Sequence, residues 1–272
     1  MKLWQFVSEK DGCLRWALQR EEGGDFEVIR RRSSRNFEKF CKGLLKGEKG
    51  VDKLVLKKGV RELPGTVVVP TQASKIVCVG LNYHQHAEEM GKAVPEEPLL
   101  FMKPVTALLV SGGEIVLPKA SKEVHYEGEL AVVIGTVLKG ASEEEALAGI
   151  LGYSCANDVT ARDIQKREMR YTRGKGYDTF CPMGPALTLA STWEVEDQRL
   201  VTRVNGEQRQ SSGLGDMIHS VGKLVSFISE IMTLLPGDVI LTGTPSGVGK
   251  LEHGDRVEVE IEGLGKLENT VS

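Results

Sequence analysis

Residues 123–135 set His125, Glu127 and Glu129 at every second position and then run into Leu130, Ala131, Val132, Val133 and Ile134. Side chains two apart on a strand point to the same face. The two glutamates therefore project side by side with His125 next in the row, while Gly128 leaves the opposite face without bulk. Paired carboxylates on one face belong to a solvated sheet surface, to a proton-sharing acid/base pair, or to a site for a hard cation. A third carboxylate moves the balance toward the cation. Asp158 ends another strand-like run, YSCANDVTARD, beside Asn157 and Thr160, which also suit a polar pocket. Two glutamates and one aspartate offer oxygen alone, which suits Mg2+, Mn2+ or Ca2+ and not zinc. Three protein ligands on a six-coordinate ion leave positions for water and a chelating substrate, the layout of a catalytic metal.

The elements that must bring these segments together are mostly strands. KIVCVG, LLFMKP, ALLVSGGEIVLP, EGELAVVIG, ILGYSCANDVT, MGPALTLA, LVTRVNGEQRQ, DVILTGTP and DRVEVEIEGLGKLENTV all read as β, and Asn205-Gly206 marks a tight hairpin. Helical patterns are fewer: YHQHAEEMG, SEEEALAGI and IHSVGKLVSFISEIMTLL. The last places Ile218, Val221, Leu224, Val225, Ile228 and Ile231 near a 3.6-residue period and stops before Pro236-Gly237. Many short strands, turn residues and few helices predict a predominantly β, mixed α/β fold with a sandwich or barrel-like core. Residues 1–70 read as a small separate α+β unit. It has a hairpin of KLWQFVSE and LRWALQR turning at Asp11-Gly12, and a short helix in NFEKFCKGLLKG ending at Gly47 or Gly50. The boundary falls near residue 70, leaving a main domain over residues 71–272.

Bulk properties bound the function classes. The chain of 272 residues is 40% hydrophobic and 27% charged, an ordinary globular composition. A net charge of -3 gives no electrostatic case for nucleic acid, and the run Arg30, Arg31, Arg32 and Arg35 reads as a solvated face. No apolar stretch approaches the roughly 18–20 residues of a membrane helix, and the N-terminus lacks the pattern of a secretion signal. Five widely spaced cysteines with no CxxC suit reduced thiols in a cytoplasm. No GxGxxG opens a helix and no GxxxxGK[ST] occurs, so neither a dinucleotide nor a P-loop site is expected.

Several motifs in order, VGLNYHQHAEE, EPLLFMKP, YEGELAVVIG, GYSCANDVTARDIQ, CPMGPAL and GDVILTGTPSGVG, make the chain from about Ser74 to Val271 resemble the fumarylacetoacetate hydrolase superfamily. The N-terminal segment resembles the small extra domain of some bacterial members. The resemblance implies a mixed β-sandwich roll, a homodimer, and one Mg2+ or Mn2+ ion with Glu127, Glu129 and Asp158 as ligands. It places the catalytic pair on His86 and Glu89, which share a face of a helical turn. Glu89 would hold one imidazole nitrogen and leave the other as a base. His84 and Glu88, four apart, compete as a surface pair in the same stretch.

By the same resemblance Arg162 and Gln165 bind substrate, the guanidinium suiting a carboxylate. Lys175 stabilises a developing enolate as a point charge, from a Gly-flanked loop whose geometry substrate binding would set. Thr244 offers its hydroxyl or N–H to a substrate carboxylate, with Gly243 allowing close approach. Lys103 lies near the site with no assigned role. By the same resemblance His125 stands where many relatives carry aspartate, and it either orders a metal-bound water or packs.

The implied activity is metal-dependent C–C bond cleavage, as hydrolase or lyase, in a 2-oxo or 2,4-dioxo carboxylic acid through a metal-stabilised enolate. The alternatives share that intermediate: 2-hydroxyhepta-2,4-diene-1,7-dioate isomerase or 5-oxopent-3-ene-1,2,5-tricarboxylate decarboxylase of aromatic catabolism, and oxaloacetate decarboxylase or tautomerase. A metal-stabilised ligand-binding protein on the same fold is the non-enzymatic alternative. The expected partner is a small-molecule acid, with no nucleic acid and no membrane.

Overall fold

The alternating N-terminal stretches pair as β1 (Lys2–Ser8) and β2 (Leu14–Gln19), antiparallel from Lys2↔Gln19 to Val7↔Leu14. The computed structural model describes residues 1–8, 14–29, 37–46, 55–60, 63 and 65–272. Asp11-Gly12, Cys13, the arginine run, Gly47 and Gly50 lie outside them. β3 (Phe26–Ile29) and β4 (Val55–Val60) extend the sheet outward from β2, with α1 (Phe37–Leu44) between them in sequence. α1 buries Phe40, Cys41 and Leu44 with Trp16 and Leu18. β5 (Gly65–Val68) pairs with the far end of β1, while its near end, Lys2 and Leu3, pairs with Thr188 and Leu187. β1 thus continues the large sheet through β14.

Next come β6 (Ile76–Gly80), α2 (His84–Glu89), β7 (Leu99–Lys103) and two-residue strands β8 (Leu108–Leu109) and β9 (Glu114–Ile115). β10 (Val124–Tyr126), β11 (Gly128–Ile134), α3 (Glu143–Ala148), β12 (Ile150–Asn157) and β13 (Thr160–Ala161) follow. Two helices that periodicity did not announce, α4 (Arg162–Glu168) and α5 (Tyr171–Lys175), precede β14 (Cys181–Leu189). The C-terminal part holds β15 (Arg199–Val204), β16 (Glu207–Gly213), α6 (Val221–Ile231) and β17 (Val239–Leu241). It closes with β18 (Gly249–Lys250), β19 (Arg256–Ile261) and β20 (Gly265–Val271).

The large sheet runs β4-β3-β2-β1-β14-β12-β11-β17-β6-β7, with β5 on β1 and β8 on β14. A second sheet runs β16-β15-β19-β20-β9 and a third β13-β10-β18. The fold is mostly β with mixed sheets, as the strand patterns predict. Asn205 and Gly206 both take positive φ, 53° and 81°, the conformation that joins β15 to β16 in a two-residue turn.

β11 is buried along its whole length because both faces are covered. Leu130, Val132 and Ile134 enter one core with Leu224, Val225 and Ile228 of α6, and Ala131 and Val133 enter another with Leu3, Trp16 and Leu241. Ser220 caps α6, accepting from the Lys223 N–H at 3.3 Å, so the helix starts after Ile218. Ile231, expected on its apolar face, is 58% exposed at the helix end. Among the described residues no helix is long and apolar enough to cross a membrane.

Candidate active site

The chain changes sheets at Glu127, leaving β10 of the small sheet for β11 of the large one. Glu127 and Glu129 stay on one side of this corner. On the other side a Cβ at Gly128 would stand 2.1 Å from Thr202 Oγ1, so the position has room for hydrogen only. Asp158 arrives from the end of β12, its N–H donating to the Glu127 carbonyl at 2.8 Å. Asn157 Oδ1 accepts from the Glu127 N–H at 2.9 Å, and the Thr160 hydroxyl donates to the Asp158 carbonyl at 2.9 Å. These bonds clamp two distant segments together. One ligand oxygen from each of Glu127, Glu129 and Asp158 lies within 4.8 Å of the others, and all three residues are buried.

Three cations pair with two of the carboxylates, Glu127 and Asp158. Lys103 Nζ, on β7, lies 2.5 Å from Asp158 Oδ1 and 3.0 Å from the Val159 carbonyl. Lys175 Nζ donates to Glu127 Oε2 at 2.8 Å and to Asp158 Oδ2, and stands 4.9 Å from the Phe101 ring centroid. Arg162 donates to Glu127 Oε1 and, at 2.7 Å, to Gln165 Oε1. Burial works to raise the Glu127 carboxyl, but Lys175 and Arg162 overcome it and hold that group well below the usual range. Burial works against the charged Lys175 ammonium, yet Asp158 and Glu127 raise its pKa. Glu129 is different. It accepts the Gly243 N–H at 2.7 Å and has no ion-pair partner among the described residues. Burial, then Asp158, pushes its carboxyl well above the ordinary value.

These features decide whether a hard cation fits. The donors are all oxygen, they converge, and one buried carboxylate lacks the counter-charge a divalent ion would bring. The residues fit.

The floor opens into a cavity that is partly open to solvent. The three carboxylates, Arg162, Lys175, Gln165, His86 and Thr244 all line it. His86 is buried on α2, its Nδ1 3.0 Å from Glu89 Oε2, and Glu89 Oε1 accepts the Gly247 N–H at 3.0 Å. Glu89 and Gly243 do not line the cavity. Gly243, with φ at 98°, packs where a Cβ would meet Asn82 Cβ at 2.8 Å, and its N–H is given to Glu129. The Thr244 hydroxyl donates to the Gly128 carbonyl and accepts from Gln210 Nε2, each at 2.8 Å, which leaves that hydroxyl no hydrogen for a ligand.

Three expectations change. Lys175 is not in a Gly-flanked loop but ends the short helix α5, 2% exposed, anchored by two carboxylates. His125 does not extend the row of acids, because the strand breaks at Glu127. Its Nε2 stands 3.2 Å from Glu123 Oε1, outside the cavity lining, and burial followed by Arg162 lowers its pKa. His84 and Glu88 are exposed and form no ion pair among the described residues. Sequence reasoning missed Gln210, which ties β16 to Gly128, Thr244 and Pro245 behind the floor, and the wall residues Phe101, Tyr171 and Lys92. Gln210 gave no signal within NGEQRQ, since its partners lie in other segments.

Among the described residues no cysteine lines the cavity. Cys181 is fully buried and its thiol is pushed up to about 12 by burial.

Residues 75–272 match the family described as Fumarylacetoacetate (FAA) hydrolase C-terminal. The chain is 44% identical over 216 residues to oxaloacetate tautomerase YisK of Bacillus subtilis, covering 75% of this chain and 71% of that one. It is similar in structure to 5-carboxymethyl-2-hydroxymuconate delta-isomerase from Mycobacterium smegmatis, at 40% identity and a TM-score of 0.80, covering 100% of this chain and 98% of that one. It is also similar to fumarylpyruvate hydrolase from Pseudomonas aeruginosa in complex with Mn2+ and pyruvate, at 36% identity and a TM-score of 0.71, covering 74% of this chain and 90% of that one. The chain belongs to the fumarylacetoacetate hydrolase family.

Proposed function

We propose that this protein is a divalent-metal-dependent enzyme of 2-oxo acids that works through an enolate, and that it hydrolyses a C–C bond in a 2,4-dioxo acid of the acylpyruvate type. One observation carries the reading. A buried all-oxygen triad shares a cavity with His86, whose Nδ1 is held by Glu89, so the other ring nitrogen serves proton transfer. The Mn2+ and pyruvate in the hydrolase similar to this chain support both the ion and the substrate class.

An Mg2+ or Mn2+ ion held by Glu127, Glu129 and Asp158 would supply Lewis-acid polarisation of the 2-oxo oxygen. The rest falls to the chain. Arg162, Gln165 and the Thr244 N–H orient the acid against the floor. His86 takes a proton from water, and the hydroxide adds to the distal carbonyl carbon. The C–C bond breaks with its electron pair kept by the 2-oxo fragment as an enolate, whose charge Lys175 offsets. The proton on His86 returns to the enolate carbon. Charge supports this account: the floor is formally neutral with three carboxylates against three cations, so a divalent ion makes it attract an anionic substrate. In this reading residues 71–272 carry the chemistry and residues 1–70 form an appended unit.

A side-by-side assay of acylpyruvates, oxaloacetate and hydroxymuconate-type diacids tests it. Conversion of an acylpyruvate to pyruvate and a free acid, abolished by excess chelator, is expected. Full activity in chelator, or inertness toward every acylpyruvate, overturns it. Similarity to YisK favours a second reading, keto–enol tautomerisation of oxaloacetate, which uses the same base without water addition. It would show as decay of the enol absorbance with no cleavage product.

A further inference from the structure

We infer that Lys92 is a specificity-determining residue that binds the distal carboxylate of a diacid substrate, so that the cavity prefers 2-oxo diacids to monoacids of equal length. The inference rests on the 2-oxo acid reading and deepens it.

The cavity has two unlike parts. On the floor every cation is spoken for: Arg162, Lys175 and Lys103 are all paired with Glu127 or Asp158. The cavity also has an apolar lining, with Met90, Leu99, Phe101 and Tyr171. These side chains suit a hydrocarbon segment and give a second carboxylate nothing to bind. Lys92 is the exception among these lining residues. It is exposed, lines the cavity, and makes no ion pair among the described residues, although Glu88, Glu89, Glu96 and Glu97 are near in sequence.

Its backbone is held firmly. α2 ends in Met90, and Gly91 follows with φ at 62°, the left-handed conformation that glycine adopts without strain. The Gly91 N–H donates to the Glu88 carbonyl and the Lys92 N–H to the Ala87 carbonyl, both at 2.9 Å. This pair of bonds closes a helix with a sharp reversal and fixes the residue that follows the glycine. The helix that carries His86 therefore also sets Lys92 at the cavity wall. A cation that lines the cavity and forms no ion pair among the described residues is available to a second anionic group of the ligand.

Binding to the Mn2+-loaded full chain separates the possibilities without turnover. The probes are 2-oxoglutarate and 2-oxopentanoate, which share chain length and the 2-oxo acid end and differ in the distal carboxylate. Wild type should bind the diacid about fivefold more tightly, the scale of one partly exposed ion pair. Lys92→Met should abolish the difference and leave 2-oxopentanoate affinity unchanged, which also shows the floor intact. Lys92→Arg should keep it. A preference that persists in Lys92→Met, or is absent from wild type, overturns the role of Lys92 while the 2-oxo acid reading stands. Failure of both acids to bind overturns that reading, and the role of Lys92 with it.

Discussion

Two clusters of acidic and basic side chains use the same chemistry in different surroundings. On β19 and β20, Lys266 Nζ lies 2.8 Å from Glu258, and Arg256 Nη2 lies 3.2 Å from Glu258 and 2.5 Å from Glu268. The side chains of Arg256 and Lys266 are 52% and 42% exposed, so water screens each pair and any partner can be replaced by solvent. On the cavity floor none of the paired side chains exceeds 6% exposure. There a lost partner leaves a desolvated charge behind. Opposite charges placed close together are therefore a weak sign of function. What distinguishes the floor is that its charges are buried, converge, and still leave Glu129 unanswered.

The pair His86–Glu89 stands between these extremes, with the imidazole buried and the carboxylate 34% exposed. Replacing the base should give the largest effect. His86→Ala is expected to lower acylpyruvate turnover by about 10²–10⁴-fold, with Mn2+ affinity little changed. Steady-state rates and a Mn2+ titration of the same preparation check this. Loss of Mn2+ binding would instead make His86 part of the floor. Lys103→Met comes next, since it strips Asp158 of one buried partner. It should destabilise the metal-free protein by about 3 kcal/mol in urea unfolding, with part of the loss restored by Mn2+. A variant as stable as wild type would show the floor to be no more coupled than the surface ladder.

How much of this arrangement was legible in the sequence follows from the range of each signal. Alternation placed Glu127 and Glu129 on one side, and the apolar runs and Asn205-Gly206 located the strands, because these depend on neighbours two residues apart. The same rule failed at His125, where the chain passes to another sheet and the period restarts. Helices α4 and α5 span 7 and 5 residues, too short to show an apolar period, and they are held by contacts with the floor. Lys103 could be located near the site but not understood. Its partner Asp158 is 55 residues away, and only the sheet order brings β7 and the end of β12 to one place. Lys175 misled in the opposite direction: flanking glycines suggest freedom, while two buried carboxylates hold it.

Glu129 gives the sharpest test of what distinguishes the floor. Unlike its neighbours it has no cation, so removing its charge while keeping its shape should relieve the fold. Glu129→Gln retains an oxygen for the Gly243 N–H and is expected to stabilise the metal-free protein by about 1 kcal/mol, while weakening Mn2+ binding. Thermal melts with and without Mn2+ should cross over between wild type and variant. A variant less stable than wild type in both conditions would mean that Glu129 is satisfied without an ion.

The surface ladder should show the smallest response and a different dependence on solution. Lys266→Met is expected to change stability by no more than about 0.5 kcal/mol and to leave turnover unchanged. Its sign with pH is fixed by Glu258. Hydrogen bonding to Lys266 holds that carboxyl below its ordinary value, against the opposing effect of partial burial. A carboxyl lowered on folding contributes stability above its unfolded pKa, about 4.3, and loses that contribution as pH falls through the folded value. The gap between wild type and Lys266→Met should therefore be present at neutral pH, close on acidification below about pH 4, and narrow in about 1 M salt. A gap that survived both treatments would have to come from packing of the lysine stem over the sheet, since no charge would remain to account for it.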